Sequence, residues 1–113
     1  MIILERPVGR DELQCMAEKM FGDMVKGVVD IRRDKLALDA ELHADLETLL
    51  LEDGSAQEDL WGINLYPEEE KIEDFLEFDS LINIRPRQNN RGRGVYDESV
   101  RKEIRALISR WVK

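Results

Sequence analysis

Residues 75–85 alternate between apolar and polar side chains. Because successive side chains of a strand point to opposite faces, this alternation predicts a strand with one buried and one polar face. The predicted core side carries Leu76, Phe78, Ile82 and Ile84, with Ser80 as the one polar interruption. The opposite side carries Glu77, Asp79, Asn83 and Arg85 together with Leu81. Pro86 ends the predicted strand, since proline has no backbone N–H to donate to a neighbouring strand.

A shorter version of the pattern lies nineteen residues upstream. Residues 63–67 and residues 82–86 both read apolar, Asn, apolar, polar, Pro. Asn is uncommon in strands because its side chain competes for backbone hydrogen bonds, so Asn64 and Asn83 at equivalent positions need a reason. A shared functional surface is one reason. Two edge strands with solvated asparagines explain the pattern equally well.

Three segments have the apolar spacing of amphipathic helices. The first begins near Asp11 and ends at Gly22, and the second covers residues 42–50. The third covers residues 97–113, with Asp97 as its N-terminal cap. The apolar stripe of this last helix is formed by Val100, Ile104, Leu107, Ile108 and Trp111.

Three further segments, residues 25–32, 35–41 and 60–66, are predicted to be strands. The resulting order, αββαββα, predicts an α+β two-layer sandwich, with helices on one face of a four-stranded antiparallel sheet. At this length we expect one domain over residues 1–113. The other face of the sheet is expected to be open and to display Asp30, Asp39, Glu41, Asn64, Tyr66, Glu77, Asp79, Asn83 and Arg85.

Charge is segregated along the chain, although the net charge of -8 does not show it. Residues 39–79 carry a net charge of -14, residues 80–113 carry +6, and residues 1–38 are neutral. This segregation predicts a homodimer in which the basic stretch of one copy meets the acidic stretch of the other. The acidic total disfavours non-specific binding to nucleic acid or to an anionic membrane, because attraction to phosphate sums over all charges.

The cysteine count and the hydropathy indicate a compartment. Cys15 is the only cysteine, so no internal disulfide can form, and no apolar run reaches the length of a membrane span. The apolar stretch at residues 1–4 is too short for a secretion signal. These features are typical of a soluble cytoplasmic protein.

The loop at residues 85–94 is the predicted ligand site. Its four arginines offer planar forks that suit phosphate or carboxylate, and Gly92 and Gly94 let backbone N–H groups approach a ligand closely. The predicted ligand-binding residues are Asn64, Tyr66, Asn83, Arg85, Gln88, Asn89, Arg91 and Arg93. We rank a small anionic metabolite above RNA or a nucleotide, because Tyr66 alone is not an aromatic platform for bases. The alternative is a structural or interaction protein whose arginines only pair with acids, within the chain or across the dimer.

A second alternative is a divalent-cation-dependent enzyme or a metal-binding protein. Carboxylate and Asn oxygens suit Ca²⁺ or Mg²⁺, and the candidate ligands are Asp30, Asp39 and Asp79. No cofactor is predicted. The chain has one histidine and one cysteine, which do not indicate a catalytic triad, so the sequence leaves enzymatic activity open. For His43, a surface or capping position is favoured over metal ligation.

Three blocks of the sequence resemble a family of small bacterial and archaeal proteins of unknown function. The blocks are ELHAD at residues 41–45, LLLEDGSAQEDLWGINLYPE at residues 49–68 and FDSLINIRPRQNNR at residues 78–91. The resemblance implies no activity, and members of that family tend to have Gly where this chain has Asn89. The residues that it favours for a site are His43, Asp45, Gln57, Asp59, Asn64, Asn83, Arg85, Gln88 and Arg91. Among these, His43, Asp45, Gln57 and Asp59 would support the ligand-binding residues.

Overall fold

The computed structural model describes residues 1–113 and contains five strands and four α-helices. The strands are β1 (Ile2–Ile3), β2 (Val25–Asp30), β3 (Lys35–Leu38), β4 (Leu60–Leu65) and β5 (Leu76–Glu77). The helices are α1 (Arg10–Met20), α2 (His43–Glu52), α3 (Ile72–Phe75) and α4 (Glu98–Trp111). Short 3₁₀ turns occur at Gln57–Asp59, Leu81–Asn83 and Pro86–Gln88. None of the helices combines the length and the apolar character needed to cross a membrane.

The strands form one antiparallel sheet in the order β1-β3-β2-β4-β5. The prediction of an α+β fold with an antiparallel sheet is therefore confirmed. The predicted number of strands, four, and the predicted order, αββαββα, are wrong. The strand β1 adds an edge because Ile2 and Ile3 pair with Leu38 and Ala37 of β3, and the extra helix α3 precedes β5.

One face of the sheet is covered by α1 and α4. A cluster of 17 buried apolar residues joins these helices to the sheet, with Leu13 and Ala17 from α1 and Ile104, Leu107 and Ile108 from α4. The strands contribute Val25, Val29, Leu36, Leu38, Trp61, Ile63, Leu65 and Leu76. The helix α4 begins as predicted, because the Asp97 side chain accepts a hydrogen bond from the Ser99 backbone N–H at 2.9 Å. This face holds most of the hydrophobic core.

The other face of the sheet is not open, so the two-layer prediction with helices on one face is wrong. The helix α2 packs Leu46 and Leu50 on this face, in a cluster of 6 buried apolar residues to which Ile82 also packs. Three of the polar side chains predicted to be exposed there are buried: Asp30 (0% exposed), Asn64 (4%) and Asn83 (0%). The helix α2 and residues 79–83 exclude water from what would otherwise be a polar surface.

The predicted strand at residues 75–85 is the largest error in secondary structure. Only Leu76 and Glu77 are strand, and the chain then crosses the second face of the sheet in 3₁₀ turns. This crossing is close, because a Cβ atom on Gly62 would lie 2.5 Å from the Cβ atom of Ser80. Ile84, predicted to be in the core, is 41% exposed.

Side chains take the place of the missing strand along the outer edge of β4. The Asn83 side chain accepts from the Gly62 N–H at 2.8 Å and donates to the Gly62 carbonyl at 3.0 Å. The Arg85 guanidinium donates to the carbonyls of Leu60 and Gln57, and the Gln88 side chain donates to the Glu58 carbonyl. Because buried backbone groups need partners, these polar residues complete the edge that a full-length β5 would have paired.

Asn90 closes the loop that follows. Its side-chain Nδ2 donates to the carbonyls of Asn83 at 2.7 Å and Gly94 at 2.7 Å, and its Oδ1 accepts from the Tyr96 N–H at 3.0 Å. The neighbouring Asn89 has a φ of 59°, in the left-handed region that Gly and Asn adopt most readily. A glycine at this position would fit the same backbone.

Candidate functional site

A cavity of about 370 Å³ lies between the start of α2, the end of β4 and residues 79–82. We call it the His43 cavity. Its polar lining comprises Lys26, His43, Asn64, Tyr66, Glu77, Asp79, Ser80 and Arg93, and its apolar lining comprises Met24, Leu42, Ala44, Leu81 and Ile82. Leu42 is 57% exposed and Leu81 is 66% exposed, so apolar side chains surround its mouth.

The floor of the cavity is a row of three side chains on adjacent strands. Lys26 of β2 is the register partner of Asn64 in β4, and Asn64 is the register partner of Glu77 in β5. Directly paired residues place their side chains on the same face, about 5 Å apart. The sheet therefore places a lysine, an asparagine and a glutamate in a row on one face.

The Asn64 amide is only half satisfied. Its Nδ2 donates to the Glu77 carboxylate at 2.8 Å and to the Asp79 carbonyl at 3.1 Å. Both partners only accept hydrogen bonds, so the amide nitrogen must face them and a flipped amide is excluded. The Asn64 Oδ1 atom is thus directed elsewhere, and it is buried without a donor. A buried acceptor left unsatisfied costs about 1–3 kcal/mol, which marks this atom as a point where a donor is missing.

His43 is buried at the start of α2, with 8% of its surface exposed, so the prediction of a surface position is wrong. Its Nε2 atom lies 2.9 Å from the Ile63 carbonyl, which can only accept, so Nε2 carries the proton. Burial lowers the pKa of His43, and the charge of Lys26 adds to this, whereas the hydrogen bond to the Ile63 carbonyl and the nearby Asn64 side chain oppose it by smaller amounts. A neutral ring in this tautomer has its lone pair on Nδ1.

Most of the other charged groups of the cavity have a partner within the chain, but one does not. Arg93 Nε contacts Asp79 Oδ1 at 2.5 Å, and the Glu77 carboxylate accepts from the Tyr66 hydroxyl at 3.0 Å as well as from Asn64. Burial, followed by the hydrogen bond to Glu77, raises the pKa of Tyr66 to about 12, so its hydroxyl stays a neutral donor. Lys26 has no carboxylate within 4.0 Å. It is the cation of the cavity that has no counter-ion.

The structure brings five of the predicted site residues together and separates the others from them. His43, Asn64, Tyr66, Asp79 and Arg93 line the His43 cavity. The side chains of Asn83, Arg85 and Gln88 instead bind the backbone of residues 57–62. Arg91 and Asp45 are exposed.

Gln57 and Asp59 lie in the 3₁₀ turn that precedes β4. Gln57 offers its backbone carbonyl to Arg85, and its own side chain has no hydrogen bond to another residue. Burial raises the pKa of Asp59, and the nearby carboxylate of Asp30 raises it further. Neither residue lines the His43 cavity.

The predicted cation ligands do not converge. Asp30 Oδ1 accepts from the backbone N–H groups of Arg32 and Arg33 at 2.9 Å, and Oδ2 accepts from the Ser55 hydroxyl at 2.6 Å. These contacts organise the turn between β2 and β3. Asp39 has a φ of 74° directly after β3, and Asp79 pairs with Arg93. No three His, Cys, Asp or Glu side chains form a group that could hold a metal ion.

The arginines of the 85–93 loop form few ion pairs with the acidic residues 39–79. Arg93 forms the one ion pair between this loop and residues 39–79, with Asp79. Arg85 stacks over the Trp61 ring, with its guanidinium carbon 4.0 Å from the ring centre, and has no carboxylate within 4.0 Å. Arg87 and Arg91 are exposed and form no ion pair. Pairing within the chain therefore leaves most of the loop's charge uncompensated.

Lys26 was missing from the residues predicted for the site. It alternates with Val25 in β2 and so shares the face of Asp30, which the sequence pattern already indicated. What the pattern could not give was the register that sets Lys26 beside Asn64, because register depends on how separate strands pair.

A larger cavity, of about 730 Å³, lies on the other side of β5 between α3 and α4. Its two arginines already have partners, because Arg101 donates to the Val95 carbonyl and Arg105 donates to Glu98. None of its lining side chains has a buried polar atom without a partner. We therefore place the candidate site in the His43 cavity.

The sequence model of one protein family, described as "Protein of unknown function (DUF5674)", matches residues 2–111. No curated protein and no solved structure matches the chain.

Proposed function

The chain belongs to the DUF5674 family, which is described only as being of unknown function, and we propose that it binds a small anionic molecule in the His43 cavity. The ligand carries a carboxylate or phosphate, a separate N–H or O–H donor, and an apolar part. Each of these requirements follows from a different part of the cavity.

The buried Asn64 Oδ1 atom carries the proposal. It is an acceptor without a donor, and it belongs to a residue that is 4% exposed and lines the cavity. His43 lines the same cavity, and its neutral ring has a lone pair on Nδ1 that can accept a hydrogen bond. A ligand N–H or O–H group is the donor that such acceptors require.

Lys26 supplies the preference for an anion. Lys26 lies on the opposite side of Asn64 from Glu77 in the sheet, its ammonium is 5.1 Å from the centre of the Phe21 ring, and it has no carboxylate within 4.0 Å. A ligand carboxylate or phosphate would be its counter-ion, and the Arg93 guanidinium lines the same cavity. Leu42 and Leu81 at the mouth would cover an apolar part of the ligand.

Like the prediction from the sequence, this proposal has an anionic ligand. The residues that would bind it are different. Of the 85–93 loop, Arg93 lines the His43 cavity, whereas Arg85 is bound to the edge of β4. The other two arginines of the loop, Arg87 and Arg91, are exposed and form no ion pair. The cavity offers more converging polar groups than the loop does, so we favour it.

The test is a binding screen followed by charge removal. A panel of hydroxy acids, amino acids, sugar phosphates and nucleotides is screened by thermal shift, and the affinity of each stabilising compound is measured by calorimetry. We expect Lys26→Gln to weaken binding of the best compound at least about tenfold, which corresponds to about 1.4 kcal/mol. The matched control is Lys102→Gln, which removes an exposed lysine from α4 and should leave the affinity unchanged. Equal affinities in Lys26→Gln and wild type would place the ligand elsewhere.

A further inference from the structure

We propose that the chain has a second binding site, for a carboxylate group, in the cavity of about 400 Å³ beside the start of α4. This cavity is lined by Trp61, Gln88, Asn89, Asn90, Tyr96, Asp97 and Val100. It shares no lining residue with the His43 cavity, so the second site is independent of the function proposed above.

The first observation is the indole of Trp61. The residue is 4% exposed, and its Nε1–H group is buried without an acceptor. The other tryptophan provides a contrast, because the Trp111 Nε1–H group donates to the backbone carbonyl of Asp34 at 3.2 Å and to its carboxylate at 3.3 Å. Native proteins satisfy nearly all buried polar groups, so the donor of Trp61 requires an explanation.

The second observation is the guanidinium stacked on that indole. Arg85 lies 4.0 Å above the Trp61 ring, and its two terminal nitrogens donate to the carbonyls of Gln57 and Leu60. Its remaining nitrogen, Nε, is also buried without an acceptor. Burial lowers the pKa of Arg85, and the charges of Glu47 and Asp59 oppose this at longer range than an ion pair. The guanidinium is thus a partly buried cation that no carboxylate contacts.

Two unsatisfied donors and an uncompensated positive charge require an acceptor group with negative charge. A carboxylate satisfies both conditions with a single charge. A phosphate, with close to two negative charges at neutral pH, is disfavoured because the Asp97 carboxylate lines the same cavity. We therefore assign a carboxylate, with Trp61 Nε1 as the lining group that would bind it and Arg85, which stacks on the indole but does not line the cavity, as the adjacent positive charge.

The indole N–H resonances of the two tryptophans provide a direct test. We expect sodium acetate to shift the Trp61 indole signal progressively and to saturation in ¹H–¹⁵N spectra, while the Trp111 signal, whose donor already has an acceptor, stays in place. Sodium chloride at equal ionic strength is the control for screening. Equal shifts with chloride, or no shift of Trp61 with acetate, would overturn the proposal. An equal response to inorganic phosphate would overturn the assignment to a carboxylate.

Two variants separate binding from folding. Trp61→Phe keeps an aromatic ring in the core and removes the N–H donor together with part of the indole, so we expect a dispersed spectrum and at least about tenfold weaker acetate binding, followed at the Asn89 backbone amide. Arg87→Gln removes an exposed arginine of the same loop and should bind acetate as the wild type does. A folded Trp61→Phe protein with wild-type acetate affinity would show that the indole takes no part.

Discussion

The two faces of the sheet differ in what holds their covering segments in place. On the face covered by α1 and α4, a cluster of 17 buried apolar residues makes the contacts. On the face covered by α2 and residues 79–83, the apolar cluster has 6 residues, and buried polar side chains supply the other contacts. Those polar side chains are Asp30, His43, Asn64, Ser80 and Asn83.

This difference separates the main source of stability from the polar groups of the His43 cavity. Burying a large apolar side chain contributes about 1.5–3 kcal/mol with little demand on direction, whereas a hydrogen bond contributes about 0.5–1.5 kcal/mol and fixes the positions of its atoms. The first face therefore provides most of the stabilisation. The second face holds donors and acceptors at defined places, and the cavity that contains the unsatisfied Asn64 Oδ1 atom lies there.

The largest effect is expected on the apolar face. Ile104→Ala removes a fully buried side chain of α4 and should lower the free energy of unfolding by about 2–5 kcal/mol, measured by denaturant titration. Ile84→Ala makes the same type of change at a side chain that is 41% exposed, and it should cost much less. Comparable losses in the two variants would contradict the assignment of the main core.

Removing a side chain that hydrogen-bonds to the outer edge of β4 should have the next largest effect on the free energy of unfolding. Asn83→Ala leaves the N–H and carbonyl of Gly62 without partners in a buried position, and about 1–3 kcal/mol is expected for such a loss. Faster hydrogen exchange at the Gly62 amide would identify the cause. Asn89→Gly is the control, because glycine accepts the left-handed backbone of that position. If Asn83→Ala were as stable as the control, side chains would not be sealing this edge.

The same contrast explains which parts of the fold could be predicted. Helix α4 was predicted because Ile104, Leu107 and Ile108 follow the helical period, and Asp97 is a standard cap. Residues 78–85 were misread because the same alternation arises when polar side chains bind the edge of another strand. The side chains of Asn83 and Arg85 meet the backbone of β4 rather than solvent.

Part of the lining of the candidate site was named from the sequence, but its position was not. Asn64, Tyr66 and Arg93 were predicted as ligand-binding residues, and all three line the His43 cavity. Their assembly depends on the register of β2 with β4 and on the path of residues 79–93 across the sheet, which are long-range properties. Local sequence patterns do not determine such pairings.

A smaller effect should come from the protonation of His43. Because burial lowers the pKa of the folded residue below the ordinary value of 6.5, protons bind the unfolded chain more readily. The contribution of His43 to the free energy of unfolding is therefore fully present above pH 6.5. It decreases as the pH falls from 6.5 to the pKa of the folded protein and is constant below that pKa. In the His43→Gln variant, the unfolding midpoint should therefore change less with pH between about pH 7.5 and pH 5.5 than it does in the wild type. An unchanged slope would mean that other groups produce it.

The smallest change in stability is expected at the ion pair between Arg93 and Asp79, and it separates stability from recognition most sharply. Both side chains are about half exposed, at 54% and 42%, and exposed pairs contribute roughly 0–1 kcal/mol, less at high salt. Arg93→Gln should therefore leave the free energy of unfolding nearly unchanged but lower the affinity of the His43 cavity for its ligand severalfold. The matched control is Arg110→Gln, which breaks a pair of similar exposure with Asp34, far along the chain and outside the cavity lining. It should affect stability as little and binding not at all. If the two variants bound ligand equally well, Arg93 would belong to the surface rather than to the site, and Lys26 alone would have to account for the preference for an anion.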